Sequence, residues 1–196
     1  MAGSTCGSCL RVHTFGESHG GAVGCVVDGF PPGFLVDVEA LQAQLDRRRP
    51  GQSALVSQRK EADRVTILSG LDPTGRTLGT PVAMTVQNTD GRPEAYEGFA
   101  HLVRPSHADY TYEAKYGIRA PSGGGRASAR ETVGRVAAGA LAEQILAQRW
   151  GVAIVAWVAA VGSVRLAAEL VDEASLLRSE VDAHATRCPD LRVAAR

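Results

Sequence analysis

A chain of 196 residues, 44% hydrophobic and 21% charged, is long enough to bury a real core and has ordinary globular usage, which excludes a disordered or fibrous class. Its formal net charge is zero, so the whole molecule has no electrostatic case for binding nucleic acid or an anionic membrane. Two lysines, Lys60 and Lys115, stand against nineteen arginines; the bias suits bidentate recognition of carboxylate and phosphate, and equally a GC-rich genome.

The N-terminus has no charged segment leading into an apolar one and is not an Arg/Ser-rich transit peptide. The longest apolar run, residues 152–161, is too short to span a bilayer, and the expected compartment is the cytoplasm. Cys6 and Cys9 form a C-x-x-C. Cys25 and Cys188 do not supply the second ligand pair that a zinc site needs, so free thiols are expected and no metal is implied.

In chain order, residues 10–14 and 22–28 read as short strands joined by a Gly-rich turn, 16–21. Asp37 can cap a helix carrying Val38, Leu41 and Leu45 on one face, with Arg47, Arg48 and Arg49 in its last turn, where cations suit the helix dipole. Residues 64–69 and 81–88 read as further strands. From 96 to 125 the chain is polar, aromatic and punctuated by Gly and Pro, too long for a mere connection and expected to be functional. The clearest helix covers about 127–149, with Val133, Val136, Ala137, Ala140, Leu141 and Ile145 at helical spacing and enough Ala and Gly to lie buried between layers. Residues 152–164 are β-branched and nearly continuous, predicting a strand covered on both faces. Residues 173–184 predict an amphipathic helix, and Pro189 opens another.

Four constellations carry chemistry. Gly16-Glu17-Ser18-His19-Gly20 leaves a strand as a turn whose glycines permit close ligand approach, with a histidine able to transfer a proton; a solvated turn is the plain alternative. Asp46 to Gly51 sets three arginines at a helix end. Arg104-Pro105-Ser106-His107-Ala108-Asp109 places a second histidine among an arginine, a carboxylate and tyrosines in a loop. Gly123-Gly124-Gly125-Arg126-Ala127-Ser128-Ala129-Arg130 feeds glycines into a helix start, a ready anion site, with Arg126 and Arg130 four apart near one face. It is neither a Walker A loop nor a dinucleotide fingerprint. Together they point to an anionic, phosphorylated substrate handled by two histidines.

The segments GESHGGAVGCVVDGFP and GRASARETVGRVAAGAL, with LDRRRPGQS, ILSG, GTPVAMTVQNTD and RPSHADYTYEAKYGIR in order between them, resemble the signatures of the chorismate synthase family. The stretch APSGGGRASARETVGRVAAGALAE and the late RCPD look more like its fungal and protist versions. The resemblance implies 1,4-anti elimination of phosphate from 5-enolpyruvylshikimate 3-phosphate to give chorismate, with reduced FMN as cofactor and no net redox change. It implies an α+β fold, a β-α-β sandwich with helices between antiparallel sheets, and a homotetramer. Residues 1–196 would be the N-terminal part of a single domain whose C-terminal part is absent, so the chain alone is expected to fold poorly and an inactive fragment is the alternative.

Carried over by the same resemblance, His19 is the acid near the departing phosphate and His107 the proton donor to the reduced flavin. Ser18, Arg48, Arg104 and Arg130 hold the substrate's anionic groups, and Arg126, Ala127 and Ser128 contact FMN. Two positions depart from the family pattern: Ala127 replaces a serine common in the bacterial flavin segment, and Ala54 stands where many relatives have a basic residue. An Arg-rich RNA-binding module is opposed by the neutral charge and by the lack of a basic stripe interleaved with aromatics.

Overall fold

The computed structural model describes residues 3–52, 55, 61–91, 93–99 and 101–196; Ala54 and Lys60 lie outside them. Five strands, β1 (Thr5–Cys6), β2 (Arg11–Gly16), β3 (Ala22–Asp28), β4 (Val65–Ile67) and β5 (Val82–Gln87), form one antiparallel sheet in the order β1-β2-β3-β5-β4. Helices α1 (Val38–Arg48) and α3 (Thr132–Trp150) pack together, with α3 laid against β2, β3 and β5. This is a mixed α+β arrangement, as read from the sequence.

Local chemistry fixes α1. The Asp37 carboxylate accepts from the Ala40 amide at 2.9 Å, satisfying a donor that the first helical turn leaves free. Leu41 and Leu45 are fully buried, each contributing about 1.5–3 kcal/mol by leaving water. Val38 is instead exposed, because the helix turns only its second and third predicted apolar positions to the core.

The core joins Val23, Cys25 and Val27 of β3, Val82, Met84 and Val86 of β5, and Val133, Ala137 and Leu141 of α3. Burial pushes the Cys25 thiol up to about 12, lowered only in part by a hydrogen bond with the Ala138 backbone, so it packs as an inert apolar group. All four cysteines are free; Cys6 and Cys9, at the sheet edge, are exposed. Gly134 explains how closely α3 lies on the sheet. A methyl there would sit 2.5 Å from the Gly24 carbonyl oxygen of β3, so any larger residue would lift the helix off the strands.

Several elements depart from the sequence reading. The 96–125 stretch is not all loop: it holds α2 (Asp109–Tyr116), closed by Gly117 in the left-handed region at φ 71°. Its aromatic, polar composition carries no apolar stripe, so periodicity could not reveal it. The predicted strand over 152–164 is reduced to a small hairpin, β6 (Ala160–Val161) with β7 (Val164–Arg165). A strand exists only beside a hydrogen-bonding neighbour, and among the described residues no strand runs along 152–159; Ile154 and Val161 are exposed rather than covered. The amphipathic stretch after 173 shortens to α4 (Arg178–Asp182), and the last helix, α5 (Leu191–Ala194), is capped by Asp190 rather than opened by Pro189. Among the described residues no helix is long and apolar enough to cross a membrane.

Candidate active site

The Gly16–Gly21 turn, the residues around the 3-10 helix Pro93–Phe99, the α2 region and the glycine run at 123–125 come together although widely separated in sequence. His19 meets the Tyr96 ring edge-on, with centroids 4.9 Å apart. Gly123 closes on the same pair: a methyl there would lie 2.9 Å from His19 Cδ2 and 3.1 Å from Tyr96 Cζ. Only a glycine lets this backbone approach the histidine so closely. The Arg104 guanidinium lies over the other part of this cluster, 5.5 Å from the Tyr96 centroid, a cation–π contact.

Arg104 is held by Asp109. Its Nε donates to Asp109 Oδ2 at 2.7 Å and its Nη2 to Oδ1 at 2.9 Å, while the Arg104 amide also donates to Oδ2. Arg119 adds a second ion pair to the same carboxylate at 2.9 Å. The Arg104 side chain's hydrogen bond holds the Asp109 carboxyl well below the usual carboxylate range; burial opposes this, and the Arg104 amide with the Arg104 and Arg119 charges reinforces it. A carboxyl depressed on folding stabilises the fold above its unfolded value of about 4 and loses that contribution as pH falls through the folded value. The stability difference between the unmodified chain and Asp109→Asn is therefore expected to stay constant from neutrality down to about pH 4 and to shrink in stronger acid. Denaturant unfolding across pH measures it, and a difference that vanishes already near neutrality would refute the anchoring role.

His107 follows Ser106, which sits at φ 61°. Its Nδ1 is 2.9 Å from the Pro105 carbonyl oxygen. A carbonyl can only accept, so Nδ1 carries a proton and Nε2 is the atom left to exchange one. The ring is exposed, and its neighbours Ala108 and Asp109 line a cleft of about 460 Å³ together with Glu17, Tyr112, Arg119 and Gly123.

The arginines of the glycine-rich segment diverge. The expectation that Arg126 and Arg130 share a face, and that the glycines enter a helix directly, fails because two 3-10 turns, Gly125–Ala127 and Ala129–Glu131, precede α3. A 3-10 turn rotates each residue further than an α-helix does, so the two side chains part. Arg126 donates to the carbonyls of Gly16 (3.0 Å) and Thr14 (3.1 Å), to Thr14 Oγ1 (2.7 Å) and to Glu131 (3.1 Å). Burial raises the Glu131 carboxyl, but the Thr14 hydroxyl, at 2.5 Å, and the Arg135 and Arg126 cations together hold it lower.

Arg130 is 3% exposed and pairs with Asp63 at 2.5 Å and Glu61 at 3.1 Å. Its Nε donates to Asn88 Oδ1 and its Nη2 to the Gln87 carbonyl. Asp63 also pairs with Arg48 at 2.9 Å. Ser18 is buried. Thus Arg48 and Arg130 share one network through Asp63, while His19 and Arg104 both meet Tyr96. The Arg48 side chain keeps 19% exposure, and its three nitrogens donate to Thr132 Oγ1, Asp63 Oδ2 and the Ala129 carbonyl.

Sequence reasoning missed Glu61, Asp63, Asn88, Tyr96, Arg119 and Glu131. Most are counter-ions or braces for the arginines it found; Glu61, Asp63 and Asn88 carry no spacing signal because their partners lie far away in the chain.

The ring system implied by the resemblance can be set against these walls. Tyr112, Tyr116, Ile118, Ala120, Pro121 and Ala127 supply an apolar, partly aromatic lining of the cleft, which suits a planar ring. Arg119 adds a cation for an electron-rich edge. The exposed Ala127 faces this space, whereas the Arg126 guanidinium is spent on protein acceptors and braces the wall.

A family model described as chorismate synthase matches residues 10–196. The chain is similar to the chorismate synthase of Synechococcus sp. (strain CC9605), 55% identical over 194 residues, covering 99% of this chain and 53% of the relative. It is similar to that of Synechocystis sp. (strain ATCC 27184 / PCC 6803 / Kazusa), 54% identical over 188 residues and covering 96% and 51% respectively. These relatives are cyanobacterial, which leaves the fungal- and protist-like cast of the segments an expectation of the sequence. A crystal structure of chorismate synthase superposes with a TM-score of 0.69 at 30% identity, over 93% of this chain and 48% of that one. The chain spans about half the length of the curated relatives it matches.

Proposed function

The chain belongs to the chorismate synthase family, and on that premise we propose that residues 1–196 form the N-terminal part of an enzyme that converts 5-enolpyruvylshikimate 3-phosphate to chorismate and phosphate. In this 1,4-elimination a base takes the ring proton, the C–H electrons form a new ring double bond, and the existing ring double bond shifts one position and expels phosphate as the C–O bond breaks. The observation that carries the reading is the meeting of His19, Tyr96 and Gly123 beside the cleft that Asp109, Arg119 and Ala127 line.

His19 donates a proton to the departing phosphate, whose charge favours the imidazolium form beforehand. Arg48 and Arg104 offer guanidinium edges to the substrate's anionic groups, Ser18 adds a hydroxyl beside His19, and Arg130 completes the set behind them through the Asp63 it shares with Arg48. His107 presents Nε2 for proton exchange on the flavin side, and the Arg126–Ser128 segment presents its backbone and the small Ala127 to the cofactor. The cleft lined by Tyr112, Tyr116, Ile118, Arg119 and Ala127 would hold reduced FMN, which would supply transient electron donation with no net oxidation. We propose a cytoplasmic homotetramer, for whose association exposed apolar residues such as Ile118 and Trp150 are available.

In a chain extended to the length of its relatives, chorismate should form only when FMN is supplied in its reduced form, as followed by anaerobic product assay. Equal turnover with oxidised flavin, or with none, would sink the reading.

A further inference from the structure

We propose that Asn88 is a positioning residue, tying the turn that carries Ser18 and His19 to Arg130 and so setting the spacing of the proposed acid and the anion-binding arginines. The inference rests on the chorismate synthase reading for its substrate, but its geometry stands on this chain's own contacts.

Asn88 directly follows β5. Ala22 of β3 pairs with Gln87 of β5, and the Asn88 amide extends that ladder by donating to the Gly21 carbonyl at 3.0 Å. The strand register therefore delivers Asn88 to the flank of the Gly16–Gly21 turn. Its side-chain Nδ2 donates to the Glu17 carbonyl at 2.8 Å and to the Gly20 carbonyl at 2.7 Å, the residues that flank Ser18 and His19. Its Oδ1 accepts from Arg130 Nε at 2.9 Å.

Both amide hydrogens and the carbonyl oxygen are in use, and only a carboxamide offers two donors and an acceptor at this reach. A carboxylate would keep the bond to Arg130 and set its oxygens against two carbonyls. An apolar side chain would release both ends. The turn cannot shift relative to Arg130 without breaking these bonds, and a small misplacement of a catalytic group is costly.

The test uses a chain extended to the length of its relatives and carrying isotope labels, the His19 imidazole and Arg130 Nε–H signals being followed by NMR and 5-enolpyruvylshikimate 3-phosphate serving as the titrant. Asn88→Asp should move the His19 signals while leaving Arg130 close to its original position; Asn88→Ala should move both. Each should weaken substrate binding by about tenfold or more. A merely structural amide would lower the melting temperature and leave the affinity of the folded chain unchanged, and that result overturns the proposal, as does a His19 signal indifferent to both replacements. If Asn88→Ala does not fold, Asn88→Asp carries the test alone. A chain that fails to bind the substrate, yet whose His19 signals respond to Asn88 replacement, refutes the substrate reading and leaves the positioning role standing.

Discussion

Replacing His19 with alanine is expected to lower turnover by ~10²–10⁴-fold in a chain extended to the relatives' length, the usual yield of one general acid. The imidazole is half-buried, pressed between Tyr96 and the Gly123 backbone, so its ring is oriented rather than free to rotate. Its turn is stitched to Arg130, which keeps the acid near the cations that gather phosphate. His107→Ala should slow turnover by a similar factor but differ in kind. His107 is exposed, with Nε2 as its exchanging atom, so its loss should shift the spectrum of bound reduced FMN toward the anionic form. His19→Ala should leave that spectrum intact and slow phosphate release. If the spectrum responds to His19→Ala and ignores His107→Ala, the two roles are exchanged. If neither replacement slows turnover by even about tenfold, the acid–base assignment fails.

The second large effect concerns stability. Arg130→Met should destabilise the fold by about 3–5 kcal/mol, the cost of breaking a buried ion pair from one side. The replaced cation serves two carboxylates, Asp63 at 2% exposure and Glu61 at 4%. Asp63 retains Arg48, but Glu61 loses its 3.1 Å pairing, and the Asn88 and Gln87 acceptors lose their donor. A methionine fills much of the volume without replacing any of these interactions. By contrast Arg135→Ala, whose side chain is 66% exposed, should cost under about 1 kcal/mol, as surface pairs do. Denaturant unfolding of both variants checks the contrast. Equal midpoints for Arg130→Met and the unmodified chain would show that the buried network contributes nothing net.

Much of the local structure was legible in the sequence because its causes are local. The bounds of β3 follow from a short apolar run between a Gly-rich turn and a Pro pair. The start of α1 follows from Asp37, whose carboxylate reaches its own helix's third amide. The two histidines and the arginines around them were legible as candidates because ordered segments of the chain resemble the family's signatures. Where the reading failed, the deciding partner was elsewhere. Residues 152–159 have strand-forming composition, but composition cannot supply a neighbouring strand. Arg126 and Arg130 are four apart, yet the 3-10 turns around them send one to β2 and the other to Asp63 and Asn88.

The residue types at the site and the short elements that display them follow from the chain alone, because capping, turn formation and strand patterning act within a few positions of each other. What the arginines face depends on packing between distant segments. Arg130 meets Asp63 across 67 positions and Arg126 meets Gly16 across 110, and no periodicity encodes pairings of that range. They arise when the sheet register sets Asn88 beside Gly21 and when Gly134 lets α3 settle onto Gly24, bringing separately ordered charges to hydrogen-bonding distance, around Arg130 in a buried setting.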